Sequence, residues 1–445
     1  MRRTITILIA AVAIFLSTGF AIAQSLIVTG PVTISRDTTF TSVTVESGGI
    51  LTADGLITVN GDLTIKSGGV VTHSDRLLSG LVLNVTGKLD VQTGGIIDLR
   101  GKGLRGGRNG SAFGTHGETY DASNVIISAG NGANVAAGAS YGGQGGNSIQ
   151  GVSANAPYGF LENPQHLGSG GGGGGDGVYA ARGGHGGGRL RITAGNCIVN
   201  GTIRANGLNG EYNSANISGG GSGGAIRLDV GTLSGTGSIE AFGGNALEHN
   251  GRYCGSGSGG RIAIYYNTMS FPTENLQIYG GYAGVNAAAG TIYLKDKARA
   301  NGDLIIQNGN IVSALYTPLT TNLTTFRNMK ILNKGRLHVN KDHLTSFTIN
   351  QPVSLTTNAD FRLGAGVTLA VPNNTGFDFD VQSEASATLD SSAVLNANAL
   401  RINGGILNAH IDMAFLKSSD LELSGKGTIN VLSNTTFSLA RVSEL

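Results

Sequence analysis

Three phrases decide the fold: HGGGRLRITAG (His185–Gly195), GGSGGAIRLDV (Gly220–Val230) and GSGSGGRIAIYYN (Gly255–Asn267), with a degraded fourth copy, AAAGTIYLKD (Ala287–Asp296). Leu190, Ile226 and Ile262 recur at intervals of 36 residues, and Ile292 follows 30 later. A second phrase keeps step with the first. NGTIRANG (Asn200–Gly207), GTGSIEAFGG (Gly235–Gly244) and ENLQIYGG (Glu274–Gly281) align Ile203 with Ile239 and Leu276. Each period therefore holds two short alternating strands separated by glycine-rich turns. Units of this kind bury their apolar faces only by stacking on their neighbours. The expected fold is all-β, a right-handed parallel β-helix solenoid with long glycine-rich loops, since parallel crossovers are overwhelmingly right-handed.

Upstream, SVTVESGGI (Ser42–Ile50), DLTIKSGGV (Asp62–Val70) and KLDVQTGGI (Lys88–Ile96) repeat a shorter phrase. Alternation puts Val43 and Val45, Leu63 and Ile65, and Leu89 and Val91 on one buried face. The Gly-Gly pair supplies the positive φ of a sharp corner. Between Gly130 and Gly188 the pattern is least regular, and protruding loops are expected there, including GGGGGDGVYA (Gly171–Ala180). Beyond Lys297 the composition turns to Asn, Thr, Leu and Val, and the short phrase returns, with Leu400 and Leu421 in step. Four segments result: 1–23, 24–100, 101–295 and 296–445. At about 4.8 Å per turn, some fifteen turns would make a rod on the order of 70 Å long.

The first segment reads as a secretory signal peptide: Arg2 and Arg3, an apolar run from Ile5 to Phe20, and Ala21-Ile22-Ala23 at the cleavage position. The expected location is secreted, extracellular or at the cell surface, with no membrane span in the mature chain. A net charge of +2 without a clustered basic excess argues against a nucleic-acid partner. Cys197 and Cys254 are 57 residues apart, out of step with the period, which leaves their pairing open.

The phrases GGSGGAIRLDV and GSGSGGRIAIYY resemble the glycine-rich repeats of secreted or surface-exposed bacterial proteins with pectin-lyase-like β-helices, of the adhesin type. The resemblance implies export and a structural or adhesive role, and it brings no catalytic residues with it. The alternative is a polysaccharide lyase or hydrolase of the same fold. GGHGGG (Gly183–Gly188) is similar to the Gly-His-Gly of pectin-degrading hydrolases, but those enzymes pair aspartates as acid and base, and no adjacent Asp pair occurs in the chain. Arg191 and Arg227 should stack in register without clustered carboxylates, which does not suit a lyase. The chain is therefore expected not to be an enzyme. No cofactor is expected. GGGGGDGVY (Gly171–Tyr179) matches one calcium-binding nonapeptide with Asp176 as its carboxylate, yet a single copy lacks the neighbouring turn that would share the ion, so no metal is expected. An ice-binding face would need threonines in step, and none is evident.

The residues best suited to ligand contact are tyrosines in glycine-rich segments: Tyr141, Tyr158, Tyr179, Tyr212 and Tyr253, with Tyr120 beside them. Flat rings next to Asn and Asp bind sugar faces by apolar stacking and hydrogen bonds. Glycans or other cell-surface components are the expected partners. The competing reading is that each ring simply covers a corner of the stack.

Overall fold

The structure is a computed structural model that describes residues 24–108, 116–129, 137–148, 151–175, 179–356, 358–372, 376–410 and 420–432. The signal-peptide segment 1–23 and Asp176 lie outside the described residues. The protein is nearly all β, with 45% of residues in strands, parallel sheets and no α-helix among the described residues. No helix there is long and apolar enough to cross a membrane.

The repeat phrases pair where their spacing places them. Arg189–Val199 lies parallel to Ala225–Ser234, and that strand to Arg261–Tyr266, so Leu190, Ile226, Ile262 and Ile292 form one buried column. Ile97, Ile203, Ile239 and Leu276 form a second column in a seven-stranded sheet. Val43, Leu63 and Leu89 stack likewise, all fully buried. Within the Gly-Gly corners the two glycines have different jobs. Gly68 adopts φ +75°, while a Cβ on Gly69 would sit 2.7 Å from the Val45 carbonyl oxygen of the preceding turn.

Leu81–Val91 pairs directly with Arg189–Val199, so the intervening residues leave the stack and return to it. This excursion starts near residue 100, where the composition places the boundary between the second and third segments. Among the described residues its glycine runs are not protruding loops, whereas the hairpin of Gly117–Tyr120 and Ile126–Ala129 exposes Val125 and Ile127. Gly168 to Gly174 and Gly183 to Gly188 are almost entirely buried, and their amides bond to other glycine-rich segments: Gly171 to Gly184, Gly183 to Gly107, Gly184 to Gly219 and Gly187 to Ser222. A Cβ on Gly106 would overlap the Gly183 carbonyl, and one on Gly183 would overlap that of Gly171. The correction has a physical reason. Backbones without side chains can approach until their amides bond to one another, so a glycine run can order as a lattice as readily as it can move. Residues 151–168 cross the outer face of the sheet as a strap. Its Leu161 enters the core, and its Glu162 carboxylate accepts from Thr321 Oγ1 and from the Asn322 amide.

The apolar core is continuous from Val28 to Leu421. After Asp296 the strand direction changes: Thr291–Asp296 and Asp303–Gln307 are antiparallel, and Asp303–Gln307 is then parallel to Asn328–Leu332. Three further parallel sheets of six, four and four strands follow, with Leu400 on Leu421 as the spacing predicts. Asp-to-Arg pairs join successive turns there: Arg336–Asp360, Arg362–Asp390 and Arg401–Asp380. Threonines do come into step near the N-terminus, contrary to the sequence reading, because turns of about twenty residues carry Thr33, Thr52 and Thr72 into one file. The file ends at once. Thr72 is buried, and its hydroxyl donates to the Asp98 carbonyl.

Candidate functional site

The five tyrosines divide into two places. Three of them lie at the tips of glycine-rich turns. Tyr212–Asn213 and Asn216–Ile217 form a two-stranded hairpin, and one period later Glu248–His249 and Arg252–Tyr253 form another. Both tips use a two-residue turn in which each central residue has positive φ: Ser214 and Ala215 at 47° and 73°, Asn250 and Gly251 at 50° and 72°. Such primed turns match the twist of the flanking strands. Ala283 and Gly284, at 69° and 87°, repeat the turn one period further on.

The tips are stacked on one another. Asn245 N–H donates to Asn209 Oδ1 at 2.8 Å, and Tyr282 N–H donates to Asn245 Oδ1 at 3.0 Å. Asn216 Nδ2 donates to the Tyr179 carbonyl at 3.0 Å, which joins Tyr179 to the same edge. The Tyr212 and His249 rings lie 5.1 Å apart. Tyr179, Tyr212 and Tyr282 are each more than half exposed, and Tyr253 is partly exposed opposite Glu248, whose carboxylate pushes the phenol up from its ordinary range. The edge is thus a file of flat rings flanked by asparagine, glutamate and arginine. His249 and Tyr282 were missed in the sequence. The Asn250-Gly251 dipeptide, a strong hairpin signal, was the clue available for His249.

Tyr141 and Tyr158 are elsewhere, and both are buried. Tyr158 and His166 belong to the strap and pack with Tyr141 and Tyr120: Tyr141 to Tyr158 is 4.7 Å between centroids, Tyr120 to Tyr158 5.3 Å and Tyr120 to His166 4.8 Å. Burial pushes the Tyr141 phenol up to about 12 and holds the His166 imidazole down at about 4, the latter with help from Arg189 and Arg261. Their rings pack on Ala225, so neither offers a free face to a sugar, and the corner-covering reading fits these two.

His185 lies inside the glycine lattice, where its carbonyl accepts from the Leu208 amide. Its imidazole is lowered by burial, then by Arg182. Arg191 and Arg227 are in register as expected; Arg227 lies over the Tyr265 ring at 5.0 Å and donates to Asn163 Oδ1. Cys197 is a buried thiol of the main core, whereas Cys254 packs with Ile217 and Ala246, so the two belong to different clusters and are not joined. No group of three metal-ligating side chains occurs among the described residues. In comparisons with known proteins, no family model, no curated protein and no solved structure matches the chain.

Proposed function

We propose that the chain is an exported β-helical rod that adheres to glycans at the cell surface, through the aromatic edge formed by Tyr179, Tyr212, His249, Tyr253 and Tyr282. The observation that carries this reading is the repetition of exposed rings at stacked turn tips. A sugar face placed on Tyr212 would find Asn213 and Asn216 on the same hairpin to meet its hydroxyls. Rings and polar groups recur at successive tips, so affinity would come from many weak contacts made together. The glycine-rich resemblance to surface adhesins points the same way, and catalysis is not needed.

The parallel columns support a β-helix, right-handed up to Asp296 as parallel crossovers favour. On this reading the winding must invert after Asp303, because strand direction reverses while stacking continues along the same core. The test of function is a glycan and whole-cell binding screen with the purified protein and the triple variant Tyr179→Ala, Tyr212→Ala, Tyr253→Ala. Loss of binding with an unchanged melt is expected. Equal binding by both proteins would move the contact surface elsewhere, and no binding by either would leave the rod a passive structural element.

A further inference from the structure

Three guanidiniums surround one small side chain under the strap. Arg189, Ala225 and Arg261 are register partners on successive strands, and Arg227 is two residues beyond Ala225 on the same face. Strand spacing and rise put the Arg189 and Arg227 Cα atoms about 8 Å apart. Ala225 forms the floor, and Tyr141 and Tyr158 lie over it.

Among the described residues no carboxylate forms an ion pair with these guanidiniums, and Glu162 acts on Arg261 only through space. Arg261 is fully buried and donates only to neutral oxygens: the Tyr158 carbonyl at 3.0 and 3.2 Å, the Tyr141 carbonyl at 3.4 Å and Thr291 Oγ1 at 3.1 Å. Arg189 and Arg227 take part in no ion pair among the described residues. Glu162, the carboxylate on the strap, is occupied by Thr321 and Asn322. Three donors in this place are buried without an acceptor: Arg189 Nε, Arg227 Nε and the Tyr141 hydroxyl, whose residue is 0% exposed. A buried unpaired donor destabilises the fold, and an uncompensated charge does so more strongly. Clustered orphan donors amid excess positive charge call for one acceptor with several oxygens.

We propose that Arg189, Arg227 and Tyr141 bind a small oxyanion beneath the strap, either a free sulfate- or phosphate-like ion or the carboxylate of an acidic sugar. Arg191, exposed and in register with Arg227, marks the open rim by which the anion enters. The site is separate from the aromatic edge and does not rest on the glycan reading.

The test is calorimetric titration and melting of the purified protein with sodium sulfate, sodium phosphate and sodium galacturonate, each against chloride at equal ionic strength. Saturable binding of at least one of the three, with a rise in Tm, is expected; which one binds separates a free ion from a sugar carboxylate. Tyr141→Phe should weaken that binding at least tenfold, and Arg189→Gln should do the same. Tyr141→Phe keeps the ring and loses only the hydroxyl, so in chloride it should still fold and melt cooperatively. Absence of a saturable response to all three anions, or undiminished binding by Tyr141→Phe, would overturn the proposal.

Discussion

Two glycine-to-alanine changes should move stability in opposite directions. In Gly224→Ala the new Cβ would overlap the Gly188 carbonyl oxygen and lie 2.6 Å from the Gly187 carbonyl group. The Gly187–Gly188 peptide must then move. Three of the hydrogen bonds that hold it are at stake: Gly187 N–H to the Ser222 carbonyl at 2.8 Å, Gly188 N–H to the Leu99 carbonyl at 2.8 Å, and Ala225 N–H to the Gly188 carbonyl at 3.0 Å. At about 1 kcal/mol each, weakening all three costs about 3 kcal/mol. The reduced freedom of the unfolded chain returns about 0.4–1 kcal/mol. A net loss of about 2–3 kcal/mol is expected. With an unfolding entropy of about 2.1 cal/mol/K per residue, that lowers Tm by about 3 °C in a chain this long. At Gly30 nothing lies within 4 Å of the Cβ and φ is not left-handed, so Gly30→Ala should stabilise by about 0.4–1 kcal/mol. Calorimetric melts of the parent and both variants decide the matter. If Gly224→Ala melts at the parent temperature, or if both variants shift alike, the glycine segments are not a close-packed backbone lattice.

Other consequences can be measured separately. Ile226→Asp places an unpaired charge in the middle of the Leu190–Ile226–Ile262 column, and a loss of several kcal/mol, or failure to fold, is expected in the same melts. Because the folded His166 imidazole is held near 4 while its ordinary value is 6.5, the unfolded chain takes up the proton first as pH falls. Its stabilising contribution, on the order of 3 kcal/mol, is complete above about 6.5 and is lost progressively toward pH 4. Melts of His166→Gln between pH 7 and 4 should therefore fall less steeply than those of the parent, and parallel curves would refute the assignment. Burial pushes the Cys197 thiol up to about 12, so a thiol reagent should label Cys197 only after unfolding; rapid labelling of the native protein would contradict its place in the core. Reducing ends or unsaturated uronates should not accumulate on pectin or alginate, and activity that vanishes in His185→Ala would restore the enzyme alternative.

The sequence alone determined which residues face inward and which stack. Leu190, Ile226, Ile262 and Ile292 share a column because strand side chains alternate with period two and the chain repeats with a fixed length, and both periods can be read from apolar positions. The tertiary structure decided everything carried by backbone or by contacts far apart in sequence. Glycine has no side chain to reveal a partner, so the burial of Gly171 and Gly183 against each other followed only from the assembled chain. The tyrosines were equivalent as letters, each set among glycines. Tyr141 and Tyr158 became interior because the strap folds back over Ala225, whereas Tyr179 and Tyr212 stayed outside because they sit at turn tips. Nor does any local pattern place Arg189, Arg227 and Arg261 around one alanine. That grouping needs strands 36 residues apart to pair in register, and a distant segment to fold across them and bury Arg261.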